Sequence, residues 1–197
     1  VNIGRTVAAF EKAFSQQKLG VQKIHMSRLK SRDEKILVLS IERLGNFRTM
    51  HHVAEAIRPM LGRTEASVRY AALRALQGDD NPAVLKALKR SLEAFDKGVR
   101  QYAINELVTT GTDYARTALL DRVESKEFNG LEIAERRSLL VAIATLGGED
   151  IEDWLYEQLE KRSWFRKKEL EAQQVLIREA LKTAGGAVAL GILEDMS

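Results

Sequence analysis

The residues most able to do chemistry lie at Lys161-Arg162-Ser163-Trp164-Phe165-Arg166-Lys167-Lys168, where five cations interleave with two large aromatics. Such a stretch can hold an anion or a nucleic-acid strand, with Trp164 as the anchor and Arg162, Arg166 and Lys167 as steering charges. In a second reading Trp164 and Phe165 pack back onto the core as an apolar staple and the cations are merely solvated. Just before it, Glu149, Asp150, Glu152, Asp153, Glu157 and Glu160 occur with no cation among them. A helix N-terminus favours the first of these acids. The rest make either an acidic face or local charge balance. Arg69 and Arg100 each follow a Val. They are candidates either to line a groove or to bond the turn before their own helix.

Catalytic machinery is harder to find. His25, His51 and His52 are the only histidines. His51 and Glu55 are spaced to share a helical face, but a metal site needs three or four ligands, and no second cluster accompanies them. Gly147-Gly148 and Gly185-Gly186 lack the flanking strand of a phosphate-binding loop. Ser and Thr are scattered without a nucleophile elbow. With no Cys in the chain, disulfides and Cys-based zinc sites are excluded. No cofactor, no metal and no enzymatic activity are expected.

The elements that must carry these residues are helical. Hydrophobic residues make up 45% of the 197, and only two Pro and 13 Gly interrupt a sequence rich in Ala, Leu, Glu, Lys and Arg. One pattern recurs: an apolar residue, a small one four later, an apolar or small one eight later, then Gly. It reads Ile36, Ser40, Leu44, Gly45; Val68, Ala72, Leu76, Gly78; Val99, Ala103, Leu107, Gly111; Ser138, Ala142, Leu146, Gly147; and Leu176, Ala180, Ala184, Gly185. This spacing puts the residues on one helical face, where the small one admits a neighbouring helix and the Gly suits the C-cap. Between copies lie further stripes: Val53, Ile57, Leu61; Leu85, Leu88, Leu92, Phe95; Ala115, Leu119, Val123; and Ile151, Leu155, Leu159. Asn81-Pro82 marks a helix start, and Asp113 and Asp150 are N-caps or first-turn acids. Longer intervals in the second half coincide with expected loops at 124–130 and 161–168.

The segments Ser67-Val68-Arg69-Tyr70-Ala71-Ala72-Leu73-Arg74-Ala75-Leu76 and Gly98-Val99-Arg100-Gln101-Tyr102-Ala103 resemble HEAT repeats. That family carries a Val-Arg pair opening its second helix, followed by Ala and then Leu-Gly. Leu37, Leu139 and Ile177 stand where the other copies would carry the Arg. The repeat spacing is closest to that of bacterial HEAT-repeat proteins. The resemblance spans residues 32–190. It implies an all-α, right-handed, armadillo-like α-solenoid of about four to five helix pairs. Residues 1–30 read as an N-terminal helical cap, with Val7, Phe10 and Phe14 on one helix and Ile24 and Leu29 on a short second one. Residues 31–197 form the array.

Charge is uneven: 18 Lys/Arg against 10 Asp/Glu in residues 1–98, and 13 against 18 thereafter. No apolar run approaches the ~18 residues of a membrane span. No signal peptide is visible, so a cytoplasmic place is expected, for a chain that starts at Val1 as a piece of something longer. The expected function is a non-enzymatic scaffold or regulatory module binding a protein. Its candidate contacts are Arg69, Arg100, Arg162, Trp164, Arg166 and Lys167. The alternative is nucleic-acid binding, in one branch resembling the HEAT-like alkylpurine DNA glycosylases. Against it, the position one before the third anchor runs Arg43, Ala75, Glu106, Thr145 and Thr183, whereas a nucleic-acid groove repeats its cations.

Overall fold

The computed structural model describes residues 3–162 and 167–195; for residues 3–11 and 14 only the backbone is described. Among the described residues every regular element is a helix. The chain divides into two compact units, residues 1–79 and 80–197.

The first unit opens on a single long helix, α1 (Ile3–Arg28). The expected second short helix is absent from this region. No Pro interrupts the segment, and its one interior Gly, Gly20, costs only about 1 kcal/mol of helix propensity. The Val7, Phe10 and Phe14 stripe lies outside the described side chains. α2 (Glu34–Leu44) starts at Asp33, whose carboxylate accepts from the Lys35 and Ile36 amides at 2.9 and 3.2 Å. It packs against α1 and α4 (Ala66–Ala75), and α3 (His51–Ile57) runs between α2 and α4 into a 3-10 turn. Gly45 shows how close α2 and α4 come: a Cβ there would lie 3.1 Å from the Ala75 Cα. Ser40, Leu44, Val68, Ala72 and Leu76 are buried as expected. Ile36 is not: it is 40% exposed, and Leu37 and Ile41 fill the core instead. Leu37, Ser40, Ile41 and Leu44 recur at i, i+3, i+4 and i+7 and form the buried stripe, which leaves Ile36 to one side of it.

The second unit contains α5 (Pro82–Ser91), α6 (Lys97–Thr110), α7 (Asp113–Glu124), α8 (Ile133–Leu146), α9 (Glu149–Glu160), α10 (Lys167–Ala184) and α11 (Ala187–Asp195). α8 packs against α6, α7 and α10. Asn81 caps α5 with Pro82 at its first position, Thr112 caps α7, and Asp113 and Asp150 are first-turn acids. Gly111 ends α6 at φ 60°, a left-handed conformation that a side chain would strain. Leu85, Leu88 and Leu92 are buried, as are Ala103, Leu107, Leu119 and Leu155.

Three expectations change in this unit. Phe95 is fully exposed at 104%, because α5 ends at Ser91 and Phe95 sits on the turn to α6, off the helical stripe. Residues 124–130 are not an extended loop. They include a 3-10 turn at Phe128–Gly130 that buries Phe128. Lys167 and Lys168 belong to the first turn of α10, so the described ends of the basic segment are Lys161-Arg162 on one side and that helix on the other.

Candidate functional site

Four helices carry an Arg four residues after the N-cap: Arg69 after Glu65, Arg100 after Asp96, Arg136 after Glu132, and Arg116 after Thr112, which pairs with Asp113 in its own first turn. One helical turn separates cap and guanidinium, so each side chain can reach back over the turn that precedes its helix. Arg69 does so. Its Nη1 donates to the carbonyls of Arg63 and Thr64 at 2.8 and 2.6 Å. Arg100 does the same to Ala94 and Phe95, both at 2.8 Å, and adds a two-pronged bond to Glu135 through Nε at 2.5 Å and Nη2 at 2.7 Å. Glu135 is itself buried on α8, so α6 and α8 are tied by a sequestered ion pair. The bonds from Glu135 hold the Arg100 guanidinium above its ordinary value, against the opposing effect of burial.

Arg136 breaks the series. Its guanidinium lies over the Phe128 ring, 5.3 Å from the centroid. Its Nε is sealed from solvent without an acceptor, and among the described residues its side chain makes no hydrogen bond or ion pair. Arg122, at the end of α7, is buried beside the same turn. It donates at 3.3 Å to Ser125 Oγ, and its Nε also lacks an acceptor.

Arg136 lines a cleft of ≈ 1280 Å³ within the second unit, bounded by α8, α9, α10 and the turn before α8. Its apolar wall includes Phe128, Trp154 and Leu176, which are buried, and Ile133 and Val175, which are 65% and 52% exposed. Its rim carries two ion pairs, Arg137–Glu179 at 2.6 Å and Lys161–Glu157 at 3.1 Å. Glu124 and Glu169 are exposed carboxylates on the same rim.

The sequence candidates distribute unevenly around this cleft. Arg162 lines it and is exposed. Lys167, on the first turn of α10, faces Glu171 at 3.8 Å and is not part of the cleft wall. Trp164 and Arg166 lie outside the described residues. The guanidinium bonds of Arg69 and Arg100 go to their own turns and, for Arg100, to Glu135. Tyr156 donates to Asp195 at 2.6 Å, tying α9 to the exposed end of α11. The row from Arg43 to Thr183 does not share a face: Ala75 and Glu106 are buried, whereas Arg43, Thr145 and Thr183 are exposed. His51 and Glu55 do meet, at 3.5 Å on an exposed face. Among the described residues no group of three His, Cys, Asp or Glu is placed to hold a metal. Sequence reasoning passed over Arg136, Phe128 and Ile133. A signal for Arg136 was present, since Glu132 and Arg136 repeat the spacing of Glu65 and Arg69.

A family model described as HEAT repeats matches residues 54–139. Two engineered proteins solved by the Northeast Structural Genomics Consortium are similar in structure. One is 19% identical with a TM-score of 0.49, and the match covers 88% of this chain and 88% of that one. The other is 18% identical with a TM-score of 0.45, covering 89% of this chain and 53% of that one. No curated protein matches.

Proposed function

Because residues 54–139 match a family model described as HEAT repeats, we propose that the chain is a non-enzymatic binding module whose second unit takes a segment of a protein partner into the cleft between α8, α9 and α10. HEAT arrays present helix surfaces and clefts that suit macromolecular partners. The observation that carries the reading is the cleft wall. Ile133 and Val175 are exposed, and they line the same cleft as buried Phe128, Trp154 and Leu176. Contiguous exposed apolar surface rimmed by polar groups is the mark of a contact site. The rim cations Arg137 and Lys161 are already paired with acids. Among the described residues that leaves Arg162 and Arg136 as the lining cations without an acid, fewer than the repeated row that tracks a phosphate backbone. No described helix is long and apolar enough to cross a membrane.

The test is a photo-crosslinking side chain placed at Ile133 in the full chain, used in an extract of the native source. A polypeptide captured there is purified and titrated against wild type and Ile133→Asp. The reading expects the affinity to fall at least ~10-fold in the variant. Equal binding of that polypeptide to both proteins would overturn it. Fluorescent duplex DNA is titrated in parallel across salt. Tight binding with a steep salt slope would replace the protein partner by a nucleic acid.

A further inference from the structure

The cleft also contains a charge that no acid among the described residues neutralises. Arg69 and Arg100 occupy the same position relative to their N-caps as Arg136, and both donate to two carbonyls of the preceding turn. At Arg136 that turn is the 3-10 turn Phe128–Gly130, and it offers an aromatic ring rather than carbonyls. The guanidinium is half-buried, its Nε is sealed, and it opens onto the cleft. Arg122, on the other side of the same turn, likewise forms no ion pair among the described residues. The lining as a whole carries four cations and four carboxylates, and Arg122 is buried and not part of it; the local excess is at Arg136, a half-buried wall cation that no described carboxylate neutralises. Such a cation favours an incoming anion, since a guanidinium removed from water without a counter-charge is unfavourable. The planar fork of Arg matches a carboxylate through two parallel bonds.

We propose that the cleft is specific for an acidic segment of its protein partner. An Asp or Glu side chain is received by Arg136, and a neighbouring apolar side chain packs on Ile133 and Val175. This rests on the reading of the cleft as a protein-binding site. The apolar wall decides between sources of the anion: a free phosphate or a small carboxylate would leave Ile133 and Val175 in water, whereas a peptide covers both. The guanidinium carbon lies 5.3 Å from the Phe128 ring centroid, a contact that narrows the positions the fork can take before the partner arrives. The exposed rim acids Glu124 and Glu169 act at higher dielectric and are screened by salt. They oppose the acidic segment more weakly than Arg136 attracts it.

The experiment selects a random phage-displayed peptide library on the immobilised full chain, then measures the selected peptides by anisotropy. The expected consensus holds an Asp or Glu next to bulky apolar residues. Replacing that acid by its amide should weaken binding at least ~10-fold to wild type. The loss should vanish in Arg136→Met, which keeps a flexible apolar contact with Phe128, and persist in part in Arg136→Lys. Inorganic phosphate should not displace the peptide at equal ionic strength. Selected peptides without an acid, or acidic peptides indifferent to Arg136→Met, overturn the carboxylate inference. If those same peptides remain sensitive to Ile133→Asp, the cleft reading survives without it. Peptides indifferent to both substitutions, or no selected peptides at all, overturn both. Unchanged circular dichroism confirms that each variant is folded.

Discussion

Removing Glu135 should expose how much the α6–α8 contact depends on one buried ion pair. The Glu135 side chain is 4% exposed and that of Arg100 is 16% exposed, and two hydrogen bonds of 2.5 and 2.7 Å join them. Glu135→Ala strands a buried guanidinium. That class of change costs about 3 to 5 kcal/mol. Arg100 keeps its bonds to the Ala94 and Phe95 carbonyls, so the expected loss is near the lower end, about 3 kcal/mol. Arg100→Ala should lose at least as much, because it strands the more deeply buried Glu135 and also frees both carbonyls. The double variant should be only about 1 kcal/mol worse than Arg100→Ala alone, which gives a coupling of about 2 kcal/mol. Lys97 and Glu132 provide an internal comparison. They join the same two helices one turn earlier, but their side chains are 54% and 70% exposed. Their coupling should be several-fold smaller and should fade as salt rises, whereas the buried pair should hardly respond. The assay is urea unfolding followed by circular dichroism, with both double-mutant cycles run at low and high salt. A buried-pair coupling no larger than that of Lys97–Glu132 would refute the assignment of burial as the source of the strength.

Three further outcomes follow from burial, exposure and titration. Ala103→Glu or Ala72→Glu places a charge where the parent side chain is wholly inaccessible. A loss of about 3 kcal/mol or more is expected in urea unfolding, and melts identical to wild type would contradict the packing described. Phe95→Ser removes a fully exposed ring, so stability should change by no more than about 0.5 kcal/mol, although the stripe Leu85, Leu88, Leu92, Phe95 reads as core. His25 titrates below its ordinary value of 6.5 because it is partly buried and then because Arg28 and Arg43 lie near. The folded chain therefore binds fewer protons there than the unfolded one. This contribution to stability is present above the ordinary value and is lost as pH falls through the folded one. Urea midpoints of wild type should drop between about pH 7.5 and about 5.5, and His25→Asn should flatten that drop; an unchanged slope would remove His25 as its cause.

Much of the fold was legible because its determinants are local. Ser40, Ala72 and Ala103 recur at helical spacing with larger apolar partners, and each is buried. Asn81-Pro82 and Gly111 punctuate the helices through their own backbone preferences. These signals need only one segment at a time. The exposure of Phe95 and the continuity of α1 depend on where a helix starts and stops, which a periodic pattern does not fix to the residue. The site is less legible still. Arg69, Arg100 and Arg136 share a residue type and a distance from the cap; Arg69 and Arg100 follow a Val and Arg136 follows Glu135, but that difference does not say what each guanidinium meets. What separates them is the neighbour each guanidinium meets. Arg69 meets turn carbonyls, Arg100 meets carbonyls and the Glu135 carboxylate, and Arg136 meets a ring and an open cleft. Helical periodicity specifies which side chains point inward, but a buried charge is defined by groups brought to it from α8 or from a turn, and tertiary packing alone chooses those groups.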